Sequence, residues 1–148
     1  MATRQEITIR ELSEADAGAV SRLSRQLGYQ LSVEETANHI RWIMKNPENC
    51  AFAALIDNKV AGWIHGFQAI RLESKPFVEI GGLVVDEAYR GKGIGKMLVH
   101  KVKEWCKEKD VRTLRLRTNV KRTEAHQFYR AIGFRETKQQ KIFEMEIE

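Results

Sequence analysis

Apolar and polar positions along this chain follow two rhythms, a period of two and a period near 3.6, and the rhythms alternate. Ile7-Thr8-Ile9-Arg10 has the two-residue period of a short strand. Ser13 precedes Val20, Leu23 and Leu27 at helical spacing, and Gly28 is placed to stop that helix. Ser32-Val33-Glu34-Glu35 has capping-box spacing and opens a second helix, with Val33, Ala37, Ile40 and Met44 on one face and Pro47 just beyond its end. Residues 51–56 and 60–67 read as strands joined tightly through Asp57-Asn58-Lys59. Ser74-Lys75-Pro76 breaks the chain before a long apolar run from Phe77 to Val85. Met97, Leu98, Val102 and Trp105 then mark a helix to about residue 109, and Thr113-Leu114-Arg115-Leu116-Arg117 alternates as another strand. Ala125, Phe128 and Ile132 share a final helical stripe ended by Gly133, and residues 134–137 and 141–147 read as a closing antiparallel hairpin. With no repeat or long linker, the pattern predicts a single α/β domain over residues 1–148, a mixed central sheet flanked by helices.

Composition narrows the classes. The 148 residues, 43% apolar and 30% charged, suit one soluble domain with a real core. No apolar run approaches the ~20 residues of a membrane span, and Met1-Ala2-Thr3-Arg4-Gln5-Glu6 has no apolar signal core. The expected address is the cytoplasm, with no membrane partner. Cys50 and Cys106 are two and far apart, and His39, His65, His100 and His126 lack ligand spacing, so no disulfide framework and no metal is expected. The net charge of +5, from 25 basic and 20 acidic residues, leans modestly towards anionic partners but does not identify a nucleic-acid binder. Arg112, Arg115, Arg117, Lys121 and Arg122 form a local excess that reads either as a solvated strand face or as a ligand-facing patch.

The chemistry concentrates in Arg90-Gly91-Lys92-Gly93-Ile94-Gly95-Lys96, between the apolar strand and the amphipathic helix that follows. Glycines at alternate positions let amides converge on one concavity, and a helix starting there adds unpaired N–H groups and a positive dipole end. A phosphate-bearing ligand is implied. A Walker loop is excluded because Met97 follows Gly95-Lys96 and Arg90 stands at the first glycine position. A dinucleotide fingerprint is excluded because Lys96 replaces its last glycine.

What remains is Arg/Gln-x-x-Gly-x-Gly/Ala, carried by Arg90, Gly93 and Gly95. This stretch resembles the acyl-CoA-binding signature of the GNAT superfamily of N-acyltransferases. Asn119, Ala125, Phe128-Tyr129 and Gly133-Phe134 are similar to that superfamily's downstream block. The motif-bearing resemblance covers about residues 76–138, and Glu87 stands where the family's loop often has proline.

The resemblance implies the GNAT fold with acetyl-CoA as cosubstrate. Its pyrophosphate would rest on the backbone of Arg90, Gly91, Lys92, Gly93, Ile94, Gly95 and Lys96, and its pantetheine arm would run beside Leu83, Val84 and Val85. Gly81-Gly82 within the strand suits either a bulge opening this cleft or glycines packed beneath a large side chain. In the first case a freed N–H of Leu83 or Val84 becomes an oxyanion donor.

Glu79 is the candidate base for an acceptor amine, with a structural salt bridge as the alternative. Tyr129 matches the family's general-acid tyrosine, against a plain core aromatic. Asn119 either holds pantetheine or an ordered water, or forms a turn. Asp86 and Glu87 are expected to point outward, because inward carboxylates beside the phosphate turn would repel the cofactor. Tyr29 and the helices around residues 14–46 would shape the acceptor pocket, with Trp63, His65 and Phe67 as further candidates.

The expected activity is acetyl transfer to a primary amine of a small molecule or protein, by direct attack in a ternary complex. The alternative is a non-catalytic acyl-CoA-binding or sensor module. The glycine signature argues against a nucleic-acid-binding domain, and a homodimer through the final strands is a family-level implication.

Overall fold

The computed structural model describes residues 6–148; residues 1–5, on which part of the signal-peptide reading rests, lie outside the described residues. The chain divides into two compact units, Met1–Arg117 and Thr118–Glu148. In the first, β1 (Ile7–Glu11) leads through a 3-10 turn (Glu14–Asp16) to α1 (Ala17–Arg25) and α2 (Val33–Lys45). Three longer strands follow, β2 (Asn49–Ile56), β3 (Lys59–Ala69) and β4 (Phe77–Val85). A second 3-10 turn (Glu87–Tyr89), α3 (Ile94–Glu108) and β5 (Leu114–Leu116) complete the unit.

Local chemistry explains the boundaries. Ser32 Oγ accepts the Glu35 N–H at 3.0 Å and opens α2. Asp57 and Asn58, at φ 50° and 64°, make the two-residue loop that joins β2 to β3, a geometry these side chains tolerate. Arg10 grips Asp16 through two bonds of 2.8 and 2.9 Å, fastening β1 to the start of α1.

The sheet order is β1-β2-β3-β4-β5, antiparallel up to β4 and parallel between β4 and β5, the expected mixed sheet. On one face Val20, Leu23 and Ile40 of the first two helices pack against Ala51, Ala53, Leu55 and Val84. On the other, Gly62 and Gly66 of β3 look onto Ile94, Leu98 and Val102 of α3. Leu23 and Leu98 are fully buried, each contributing about 1.5–3 kcal/mol to the core. Among the described residues no helix is long and apolar enough to cross a membrane.

The second unit holds α4 (Thr123–Ala131). Gly133, at φ 110°, reverses the chain so that the Phe134 N–H reaches the Tyr129 carbonyl at 2.9 Å. The closing hairpin is not formed: residues 134–148 carry no strand. Ile142, Phe143, Met145 and Ile147 stay exposed, and the Lys138-Gln139-Gln140 connection offers no residue suited to a tight reversal. Alternation favours a strand only where a partner buries one face.

Candidate active site

The glycine turn begins at the end of β4. Asp86 caps the 3-10 turn by accepting the Ala88 N–H at 3.1 Å. Contrary to expectation, its side chain does not point out to solvent. Only 8% of the residue is exposed, and Gln26 Nε2 (3.2 Å) and Arg22 (3.5 Å) also reach its carboxylate. Gln26 Oε1 in turn accepts the Glu87 N–H at 3.0 Å, so the end of α1 clamps the start of the turn. Burial pushes the Asp86 carboxyl up, but the Ala88 N–H, Gln26 and Arg22 outweigh it and hold the group below its ordinary value. Glu87 is exposed, as anticipated.

Beyond Arg90, Gly91 and Gly93 take φ 81° and 82°. A Cβ at either site would meet nothing within 4 Å, so conformation rather than crowding selects glycine. No side chain caps α3, and the Met97 N–H bonds back to the Gly93 carbonyl at 3.0 Å. The amides of Ile94, Gly95 and Lys96 therefore precede the helical ladder and are left for an outside acceptor. Arg90, Lys92 and Lys96 are exposed around them, whereas Ile94 is buried and anchors the helix start. The geometry fits a phosphate group.

The strand leading into this turn changes character halfway. β5 pairs with β4 only from Val78↔Leu114 to Ile80↔Leu116. Between His65↔Gly82 and Gly66↔Ile80 the register with β3 slips, leaving Gly81 as a bulge. Both sequence readings of the glycine pair are realised. Gly81 makes the bulge, and a Cβ on Gly82 would lie 2.7 Å from Cη2 of Trp63. Leu83, Val84 and Val85 continue the pairing with β3, with no strand on their other edge among the described residues. Backbone groups that face away from β3 there are open to an extended ligand.

Glu79 lies on the face opposite α3, beside Phe67 on β3 and Arg115 on β5. Its side chain is 17% exposed and pairs with Arg117 Nε at 3.4 Å, so the salt-bridge alternative is realised too. Nearer the bulge, His65 Nε2 sits 2.7 Å from Asn49 Oδ1, which can only accept. In the neutral ring Nδ1 is then bare, and it would lie 2.9 Å from a Cβ placed on Gly81. Burial holds the His65 imidazole below its usual range, favouring that neutral form. A cleft of about 460 Å³ opens between α1 and α2, lined by Arg25, Tyr29, Gln30, Leu31, Ser32 and Glu35 among others.

In the second unit, Tyr129 makes edge contacts with Phe128 (5.3 Å) and Phe134 (5.7 Å). Burial raises its phenol above the ordinary value against a weaker pull from Arg122, so it keeps its proton at neutral pH. Asn119 forms a turn, Oδ1 accepting the Lys121 N–H at 2.9 Å, while its carbonyl lies 2.9 Å from His126 Nε2. Cys50 is buried and its thiol is pushed up to about 12, which removes it as a nucleophile. The described residues contain no group of three or more His, Cys, Asp or Glu side chains arranged to hold a metal.

Residues 18–134 match the family model described as Acetyltransferase (GNAT) family. The chain belongs to the GNAT acetyltransferase family. Among GNAT relatives, the aminoglycoside N(6')-acetyltransferase type 1 of Stenotrophomonas maltophilia is 29% identical over 149 residues, covering 95% of this chain and 94% of that protein. The N-acetylaspartate synthetase of Xenopus tropicalis is 34% identical over 95 residues, covering 64% of this chain but only 34% of its own length. The solved structure of the aminoglycoside N-acetyltransferase AAC(6')-Iy in complex with CoA superposes with a TM-score of 0.88 at 20% identity over 99% of each chain, which establishes the GNAT fold.

Sequence reasoning missed Gln26 and the burial of Asp86, because a polar residue in a last helical turn announces no partner.

Proposed function

We propose that this chain is one catalytic domain that uses acetyl-CoA to acetylate a primary amine by direct attack in a ternary complex. One observation carries the reading: a strand with one open edge runs, through a bulge, into a left-handed glycine turn and an uncapped helix. The turn from Arg90 through Lys96 receives the pyrophosphate, and the open edge at Leu83, Val84 and Val85 receives the pantetheine amides. The family resemblance adds Asn119 as a further candidate for that arm.

Bound acetyl-CoA supplies a thioester carbonyl and a thiolate leaving group. A lysine-like ammonium, with a pKa of ~10.4 in water, must lose a proton before it can attack. Glu79 attracts the cation, exchanging part of its pairing with Arg117, and takes that proton directly or through water. An N–H freed near the bulge, at Leu83 or Val84, donates to the carbonyl oxygen as negative charge develops. The family resemblance assigns the proton for the departing sulfur to Tyr129, whose phenol burial keeps protonated, and the second proton of the attacking nitrogen restores that phenol. One proton is released to solvent for each amide formed.

Two relatives are named for opposite acceptors, a polycationic aminoglycoside and the dicarboxylate aspartate, and both chemistries are candidates. The α1–α2 cleft at Tyr29 and Glu35 supports an acceptor site on the face of Glu79.

The test is calorimetry with acetyl-CoA, followed by thiol release with a panel of amines. Binding with turnover is expected, and Tyr129→Phe should lower kcat by about 10²-fold or more with acetyl-CoA affinity retained. No heat of binding from folded protein would remove the assignment. Binding without turnover on any amine would favour the sensor-module alternative.

A further inference from the structure

Outside the residues already assigned, the strongest unexplained feature is a group of arginines at the paired end of β4. Phe77 is 2% exposed and lies on the same face as Glu79. The guanidinium of Arg115 stands 4.2 Å from its ring centroid and that of Arg71 stands 5.4 Å away, so two cations share one aromatic ring. Arg117, just past the end of β5, takes Glu79. Among the described residues neither Arg71 nor Arg115 has a carboxylate within ion-pair distance, and both residues are exposed. Arg117 pairs with Glu79, Arg115 is its register neighbour, and Arg71 joins Arg115 over the adjacent Phe77 ring.

Such a surface repels a polycation and attracts an anion. Glu79 and Arg115 are direct register partners on neighbouring strands, which lie about 4.8 Å apart. A negative and a positive group side by side complement a molecule that carries an ammonium and a carboxylate a few bonds apart. Stacked arginines also keep their planar forks oriented, which suits two-pronged binding of a carboxylate.

We infer that the acceptor is an amino acid, its carboxylate held by Arg115 and Arg71 over Phe77 while its amine is delivered to Glu79. This rests on the proposed N-acetyltransferase reading and selects between the two acceptor chemistries found among relatives. Arg71 and Arg115 are then specificity-determining residues that do not touch the reacting atoms.

The test measures thiol release from acetyl-CoA with L-aspartate, L-glutamate and glycine, with their methyl esters, and with kanamycin as a polycation. The amino acids should exceed their esters and kanamycin in kcat/KM by about tenfold or more. Arg115→Ala should raise the KM of the amino acid by about tenfold, leave that of the ester unchanged, and leave acetyl-CoA binding by calorimetry unchanged. Arg115→Lys should recover part of the loss. If Arg115→Ala does not fold, Arg71→Ala carries the same expectation from a more peripheral position. Equal or better turnover of esters or kanamycin would overturn the inference and leave the N-acetyltransferase reading standing. So would acetyl-CoA binding with no amino acid turned over. Failure to bind acetyl-CoA at all would remove both.

Discussion

From residue 78 to 80, β4 is paired with a strand on each edge; from 82 to 85, past the Gly81 bulge, it is paired with β3 alone. The doubly paired end has its backbone satisfied, so what it offers to a ligand is side chains: Glu79, with Arg115 and Arg117 beside it. The singly paired end offers main chain, and the turn beyond it continues in the same currency through the amides of Ile94, Gly95 and Lys96. On the proposed reading, one strand divides the work. Its backbone end suits a cofactor whose polar arm is the same in every reaction, and its side-chain end suits an acceptor that differs between relatives.

The sharpest way to break that division is Glu79→Gln, which keeps shape and removes the charge at the paired end. Turnover at neutral pH should fall by about 10²-fold, and the alkaline rise in rate should flatten. Acetyl-CoA binding should not change. An unaltered pH–rate profile would remove the base assignment, and loss of acetyl-CoA binding would mean that the two ends are not separate.

The open end answers to Gly82→Val. A Cβ there would stand 2.7 Å from Cη2 of Trp63 and 2.8 Å from Cζ3, so the ring or the strand must move. The expected cost is about 1–3 kcal/mol of stability, read as a lower denaturation midpoint, with weakened acetyl-CoA binding. Unchanged stability would show that the ring moves freely and that the glycine pair is not a packing requirement.

Gly93→Ala asks a narrower question. Nothing crowds the site, so the substitution acts only through φ 82°, at roughly 1–2 kcal/mol. If the turn keeps its shape, stability falls; if it relaxes, acetyl-CoA affinity falls by up to about tenfold. Either result should leave the acceptor KM alone. A raised acceptor KM with normal cofactor binding would contradict the assignment of this turn.

The same contrast explains what could be read from sequence. Gly91 and Gly93 were legible because a left-handed turn constrains residue type at its own position. Ser32 and Asp57-Asn58 were legible for the same local reason. The motif at the turn could be read as a candidate phosphate site because backbone geometry alone shapes it. Arg71 and Phe77 meet Arg115 only through the sheet, and no local pattern records such a contact. Asp86 next to a phosphate turn argued for an outward carboxylate, until Gln26 and Arg22 of the first helix supplied its partners. The closing hairpin failed for a related reason: alternation among residues 141–147 states which side chains seek burial without supplying a neighbour to bury them.

The smallest effect tests whether that long-range clamp sets the turn. The Asp86 carboxyl lies below its ordinary value of 3.8 in the folded chain, so the ionised form stabilises the fold. That contribution is present above the unfolded value and is lost as pH falls through the folded one. Asp86→Asn keeps an oxygen for the Ala88 N–H but discards the charge, and should lower the melting temperature at pH 7 by about 2–4 °C. Asp16, whose carboxyl Arg10 holds low in the same sense, contributes to acid sensitivity in both proteins and cancels in their difference. The gap between the two melting curves should therefore close as pH drops below about 5. A gap that stays constant with pH would mean that the oxygen's hydrogen bonds, and not its charge, tie the first helix to the turn.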